Sequence, residues 1–221
     1  MQIIKEEKMI YIKNFVFNSF QVNTYILYDE TKECVIIDAA CFDKREEEKI
    51  VAFIESENLK PIKLINTHSH IDHVLGNSFI SKKYNIDLEI HKGGVPLVKT
   101  APGYASVFGF DAMDVVYPKG FFEDGDFIKF GNSQLKVLYT PGHAEGSVCF
   151  YCKEQDFVIV GDVLFLESIG RTDLPSGNHE LLLKSIREKL FTLPNNTEVF
   201  TGHGPSTTIG HEKENNFFLK D

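Results

Sequence analysis

The sequence predicts an α+β fold in which two mixed β-sheets pack face to face, with helices on their outer sides. Strand-like segments come in runs in both halves of the chain. Amphipathic segments interrupt these runs without the regular strand–helix alternation of one parallel sheet. Histidines and aspartates also recur just beyond apolar strands, which places reactive side chains along the edges of the sheets.

Residues 11–17 and 21–28 read as strands joined by a turn at Asn18 and Ser19, and residues 33–38 as a third strand. Over residues 44–58 the period changes: Ile50, Val51, Phe53 and Ile54 share one helical face, while Glu46, Glu47, Glu48, Glu55 and Glu57 can stay solvated. The acidic run is therefore a wet helix face. A strand at 62–66 leads into THSHIDH, then a helix to about Tyr84 and a short strand at 87–91. Residues 93–124 have weak periodicity, several glycines and prolines, and the aromatics Tyr104, Phe108 and Phe110. They read as a long loop holding a short helix, and loops of that length are commonly functional. The second half adds strands at 127–130, 134–139, 147–151 and 157–160, a helix at 179–190, a strand at 198–201 and a terminal helix at 211–219.

At 221 residues, 43% apolar and 25% charged, with no Gly/Ser-rich or Pro-rich tract, the chain is expected to form one globular domain over its whole length. Residues 1–8 precede the first convincing strand and are expected to be an extension, with Met9 as an alternative start. The net charge of −9 works against nucleic acid as a partner, because neutralising phosphates requires clustered Lys and Arg. No long apolar run and no secretory leader is visible, so a cytoplasmic protein with no membrane partner and a small-molecule substrate is expected. Cys34, Cys41, Cys149 and Cys152 are too scattered for a disulfide framework. Cys149 and Cys152 form a CxxC, but in a strand residues three apart point to opposite faces and cannot share a metal.

Five of the eight histidines stand beyond apolar strands, in KLINTHSHIDH, LKVLYTPGH and TEVFTGH, and Asp162 follows another in FVIVGD. In an extended stretch His68 and His70 project to the same side and can meet one ion. A turn into the next helix can then aim Asp72 and His73 at a second ion. His143 can complete the first site and His203 the second, while the carboxylate of Asp162 can offer an oxygen to each. Imidazole and carboxylate ligands without thiolate suit zinc, and also iron or manganese. Gly142, Gly161, Gly202 and Gly204 beside these ligands fit tight turns.

THSHIDH followed by TPGH, VGD and TGHGPSTT resembles the metallo-β-lactamase superfamily, in particular its small glyoxalase II-like hydrolases. NTYIL, PGHAEGSVCFY, SIGRTDLPSGN and GHGPSTTIGHEKENNFFL extend the likeness over almost the whole chain. The resemblance implies a four-layer αββα sandwich with two zinc ions at one edge, between the sheets. His68, His70 and His143 would hold the first ion, Asp72, His73 and His203 the second, and Asp162 would bridge. The implied reaction is hydrolysis of a thioester, with S-lactoylglutathione as the nearest model, by a bridging hydroxide that Asp72 orients.

An aspartate rather than a cysteine at position 162 argues against a typical zinc β-lactamase, and the lack of a basic extension argues against the nucleases of this superfamily. Larger glyoxalase II enzymes add a C-terminal helical domain, whereas few residues follow His203, so weak preference for the glutathione portion is expected. In the GRTD loop, Arg171 is a candidate substrate contact or the partner of Asp173 in a structural ion pair. The same loop occurs in persulfide dioxygenases, which gives a rival reading with a single iron on His68, His143 and Asp162. Other ester or lactone hydrolysis and metal binding without catalysis are further alternatives. His91, His179 and His211 match no part of the motif and are read as surface or supporting residues.

Overall fold

The computed structural model describes residues 9–110 and 113–220; the expected extension at 1–8 lies outside them. The first half of the chain builds one six-stranded sheet from β1 (Tyr11–Phe17), β2 (Val22–Tyr28), β3 (Glu33–Ile37), β4 (Lys60–Ile65), β5 (Leu88–His91) and β6 (Gly120–Phe122), in that spatial order. β1, β2 and β3 pair antiparallel, and β3 through β6 pair parallel. The second sheet is built from β7 (Phe127–Phe130), β8 (Ser133–Tyr139), β9 (Val148–Cys152), β10 (Phe157–Gly161), β13 (Glu198–Thr201) and β14 (Thr207–Thr208). Its order is β14-β13-β10-β9-β8-β7, with the β10–β13 pair parallel and the others antiparallel. A small hairpin, β11 (Leu164–Phe165) and β12 (Ser168–Ile169), stands apart from both sheets.

The alternation of side chains along each central strand divides the core into three apolar layers. In β9, Val148, Phe150 and Cys152 enter the layer between the sheets, while Cys149 and Tyr151 enter the layer outside the second sheet. The CxxC is thus split between two faces, as the strand period requires. Burial pushes the Cys149 thiol up to about 12 and the Cys152 thiol up to about 11. In β3, Val35 and Ile37 face the second sheet, while Cys34 and Ile36 face outward. The outward layer of the first sheet is covered by α1 (Lys44–Ser56), which buries Ile50 and Ile54 and is capped by Asp43 accepting from the Glu46 amide at 2.8 Å. The outer layer of the second sheet receives Leu182 of α5 (His179–Ser185), Ile186 and Leu190 of the π turn that continues it, and Ile209 of α6 (Ile209–Asn215). The result is an αββα sandwich.

Two expectations need correction. The helix after THSHIDH is two pieces, α2 (Ile71–Val74) and α3 (Asn77–Tyr84). It breaks at Gly76, whose amide donates to Ala39 O at 2.8 Å; a Cβ there would lie 2.8 Å from Cys41 O and 2.9 Å from Ala39 O. The span 93–124 is not mainly loop: it holds the ten-residue helix α4 (Val95–Tyr104), a 3₁₀ turn at Ala105–Phe108 and the strand β6. Its apolar pattern is broken because Val98 packs on the first sheet's outer layer while Ala101, Ala105 and Phe110 pack with Ile71 and Leu75 in a small separate cluster.

The two sheets are also joined by hydrogen bonds along one edge. Val148 N donates to Thr67 O at 2.8 Å, Asn23 N to Gly202 O at 2.8 Å, and the Tyr25 hydroxyl to Thr201 O at 2.7 Å. Phe150 lies fully buried between the sheets. Phe150→Ala should lower the unfolding free energy by about 3–5 kcal/mol, read from the denaturant midpoint. A loss below about 1 kcal/mol would show that the inter-sheet layer repacks freely.

Candidate metal centre

All seven predicted ligand residues leave their strands at that stitched edge. After β4, residues 66–70 run extended before α2, which carries Asp72 and His73. His143 follows β8, Asp162 is the first residue beyond β10, and His203 lies two residues beyond β13. Close backbone approach requires glycine at two of these turns. Gly161 has φ +52°, and a Cβ there would strike the Thr67 side chain. A Cβ on Gly202 would strike Asp162 Oδ1.

Three overlapping groupings result: the fully buried Asp38, His68 and His73, and two clusters that take in six of the seven predicted ligands. The ligand atoms of His68, His70 and His143 lie within 4.8 Å of one another, as do those of Asp72, His73 and His203. His70 Nδ1 is 2.9 Å from His143 Nε2, and His73 Nε2 is 3.2 Å from His203 Nε2. Asp162 lies between the clusters, with Oδ2 3.7 Å from His143 Nε2 and 3.4 Å from His203 Nε2, and Oδ1 3.3 Å from His73 Nε2. Asp72 Oδ2 is 3.4 Å from His203 Nε2. His68 Nε2 is buried and has no hydrogen-bond partner. Leaving such an atom unpaired costs free energy unless an ion or water satisfies it.

The far nitrogens of three rings are held by acceptors, which directs their Nε2 lone pairs inward. His143 Nδ1 pairs with Arg171 O at 2.8 Å, His203 Nδ1 with Phe20 O at 2.8 Å, and His73 Nδ1 with Asp38 Oδ2 at 3.1 Å. Burial pushes His68 well below the ordinary histidine range, takes His70 down to about 4 and lowers His143. Those three rings are held as neutral lone-pair donors. At the second cluster burial acts in the same direction, but carboxylates outweigh it. Asp162 and Asp72 raise His73 well above its usual value and His203 to about 9. Burial opposes ionisation of Asp162, yet the His73 and His203 rings hold it well below the carboxylate range. Such a donor set, neutral imidazoles beside carboxylates that draw positive charge, fits a cation.

Asp38 is the residue that the sequence reading missed. It is 1% exposed and accepts from Thr67 N at 2.7 Å, Thr67 Oγ1 at 2.6 Å, Asn66 Nδ2 at 3.2 Å and the His73 ring. The signal was present, since CVIID is an apolar strand ending in aspartate just as FVIVGD is. Arg171 lines the cleft beside the clusters, with its exposed guanidinium paired with Asp173 through two hydrogen bonds of 2.7 Å and its carbonyl 2.8 Å from His143 Nδ1. His91 stacks on Tyr139 at 4.3 Å between ring centroids, His211 pairs with Glu167 at 3.0 Å, and His179 is exposed at the start of α5. None of the three joins the centre.

The family model of the metallo-beta-lactamase superfamily matches residues 18–203. The chain belongs to this superfamily. It is 38% identical over 202 residues to a probable metallo-hydrolase, YqgX, of Bacillus subtilis, covering 90% of this chain and 92% of the relative. It is 34% identical over 203 residues to the hydroxyacylglutathione hydrolase GloC of Haemophilus influenzae, covering 91% and 94%. Among solved structures, BLEG-1 B3 metallo-beta-lactamase aligns with a TM-score of 0.87 at 33% identity, covering 96% of this chain and 100% of that one. TTHA1623 in a di-iron-bound form aligns with a TM-score of 0.84 at 33% identity, covering 94% and 100%.

As a metallo-β-lactamase superfamily member the chain is a metal-dependent hydrolase, and its two clusters could hold the divalent metals of that family. No helix among the described residues is long and apolar enough to cross a membrane. Because Asp38 fixes the His73 ring, Asp38→Asn should weaken metal binding about 10–100-fold while the chain stays folded. Chelator competition followed by calorimetry reads this directly. Unchanged affinity would mean that the protein frame alone orients His73.

Proposed function

We infer that the protein is a dinuclear thioester hydrolase of the glyoxalase II type, with zinc as the preferred metal. The observation that carries this reading is the pair of three-residue clusters sharing Asp162 on the floor of a cleft of about 520 Å³. Phe165, Leu166 and Pro205 give the cleft apolar walls, and Ser168 and Arg171 lie at its polar side. An apolar cleft with few polar groups suits a small acyl thioester.

Two bound divalent ions would supply a water acidic enough to attack near neutral pH and a positive field for the carbonyl oxygen. His68, His70 and His143 serve this chemistry as neutral donors, and Arg171 O keeps the His143 ring in its ligating orientation. Asp72 can accept a hydrogen bond from the attacking water and turn its lone pair toward the carbonyl carbon. The water oxygen would add to the carbonyl carbon as the C=O π pair moves onto oxygen; that pair then returns as the C–S bond breaks and its electrons leave with sulfur, and the protons of the water pass to solvent. A thiolate whose acid has a pKa of about 8.5 departs without a strong general acid. The four cysteines do not offer a covalent route, because burial pushes their thiols up to about 11 or 12 and all lie in the core. An anionic thiol carrier must compete with Asp173 for Arg171, which supports a weak preference for the glutathione portion.

A single iron on His68, His143 and Asp162 would leave a second cluster, equally well formed, without a role. The dinuclear reading is therefore preferred over persulfide oxidation. The test combines metal analysis after growth with both zinc and iron with rates on S-lactoylglutathione, a neutral lactoyl thioester, a lactone and a β-lactam, plus oxygen uptake on glutathione persulfide. Expected are about two metals per chain, thioester turnover, and loss of both metal and at least about a hundredfold in kcat/KM for Asp162→Ala. One iron with oxygen uptake, or faster turnover of the β-lactam or lactone, would overturn the assignment.

A further inference from the structure

The hairpin β11–β12 forms a wall of the cleft, yet each of its strands has only two residues. A ribbon that short cannot hold its own position. It is suspended instead from the last helix of the chain. Glu212 of α6 is 0% exposed, and its carboxylate accepts from the Glu167 amide at 3.0 and 3.2 Å, from Thr207 Oγ1 at 2.6 Å and from Asn216 Nδ2 at 2.7 Å. Asn216, also fully buried, passes a second hydrogen bond to Ser168 O at 3.0 Å. Both backbone groups at the hairpin turn, Glu167 N and Ser168 O, are therefore fixed from α6. Glu167 has φ +56°, a left-handed backbone that this clasp stabilises.

A buried carboxylate is costly unless its oxygens are satisfied. Here the donors come from three separate segments, so the network has a positional consequence. On its outer side the same hairpin presents Phe165, Leu166 and Ser168 to the cleft, with the Phe165 ring 6.3 Å from that of His203. At one end it begins just after Asp162, and at the other it leads through Gly170 to Arg171, whose carbonyl holds His143.

We propose that Glu212 is a positioning residue that fixes the β11–β12 hairpin as the cleft wall and thereby sets the size of the acyl or thiol group the enzyme accepts. This rests on the cleft over the two clusters being the substrate site. The test uses the zinc-loaded full chain carrying Glu212→Gln, which replaces one acceptor oxygen by a donor, and the milder Thr207→Val, which removes one donor.

Hydrogen exchange over residues 163–170 should accelerate about tenfold in Glu212→Gln and less in Thr207→Val. Calorimetry with mercaptoacetate and with the bulkier 2-mercapto-3-phenylpropanoate should show about a tenfold loss of affinity confined to the larger probe. KM should rise about tenfold for S-lactoylglutathione but stay within about twofold for a smaller neutral lactoyl thioester, with kcat within about twofold for both and zinc content unchanged. Unchanged exchange, or equal losses for both probes, would overturn the proposal, and loss of zinc would show that Glu212 acts on Asp162 instead of on the wall. A wild-type protein that hydrolyses neither thioester would defeat the functional reading alone. The exchange and calorimetric results would still decide the role of Glu212.

Discussion

The buried carboxylate of Asp38 holds the centre to the first sheet. A carboxylate at 1% exposure is tolerated only when its oxygens are fully occupied, and Asp38 takes four donors from Asn66, Thr67 and His73. Those donors lie on the segment that carries four of the seven candidate ligand residues. The end of β3 thus fixes both the course of THSHIDH and the tautomer of His73. The second sheet meets this frame through Val148 N to Thr67 O, one residue from His68. The apolar layer between the sheets supplies cohesion, and these few polar contacts give the register that brings His143, Asp162 and His203 to the same edge.

The two clusters differ in electrostatic character although they share Asp162. Around His68, His70 and His143 burial dominates and the rings are kept neutral. Around His73 and His203 the carboxylates dominate and draw positive charge. A protein that needed only hydrogen-bonded histidines could satisfy them with carbonyls and water. Imidazole nitrogens turned toward one another, with a buried His68 Nε2 left unpaired, suit a cation held among them.

The strand ends were legible because side chains that bind metal interrupt apolar runs abruptly, as at Asp162 after FVIVG and His203 after TEVFTG. The fold class followed from how those runs were grouped. Less visible were features set by tertiary contact. The break at Gly76 comes from the backbone of Ala39 and Cys41, which no local pattern of residues 71–84 encodes. α4 was hidden because its two buried side chains are divided between the first sheet's outer layer, through Val98, and a small satellite cluster, through Ala101. The β11–β12 hairpin is too short to show an alternation and depends on Glu212, far along the chain. Asp38 was overlooked for another reason: no histidine stands near it in the sequence, and its link to His73 is made only in three dimensions.

The acidic balance of the chain, −9 overall, also needs to be read locally. Asp38, Asp72 and Asp162 place three carboxylates around five imidazoles at the stitched edge. Two divalent cations would turn that negative core slightly positive at the point where a carbonyl oxygen gains charge during hydrolysis. Arg171 adds little to this field at long range, since Asp173 neutralises it and both groups are exposed to solvent. With those cations bound, attraction by the field would be weak outside the cleft and strong on its floor. Phe165 and Leu166 give that floor an apolar wall on one side. On the proposed reading, recognition in such a cleft would depend on the shape of the wall more than on a charged handle.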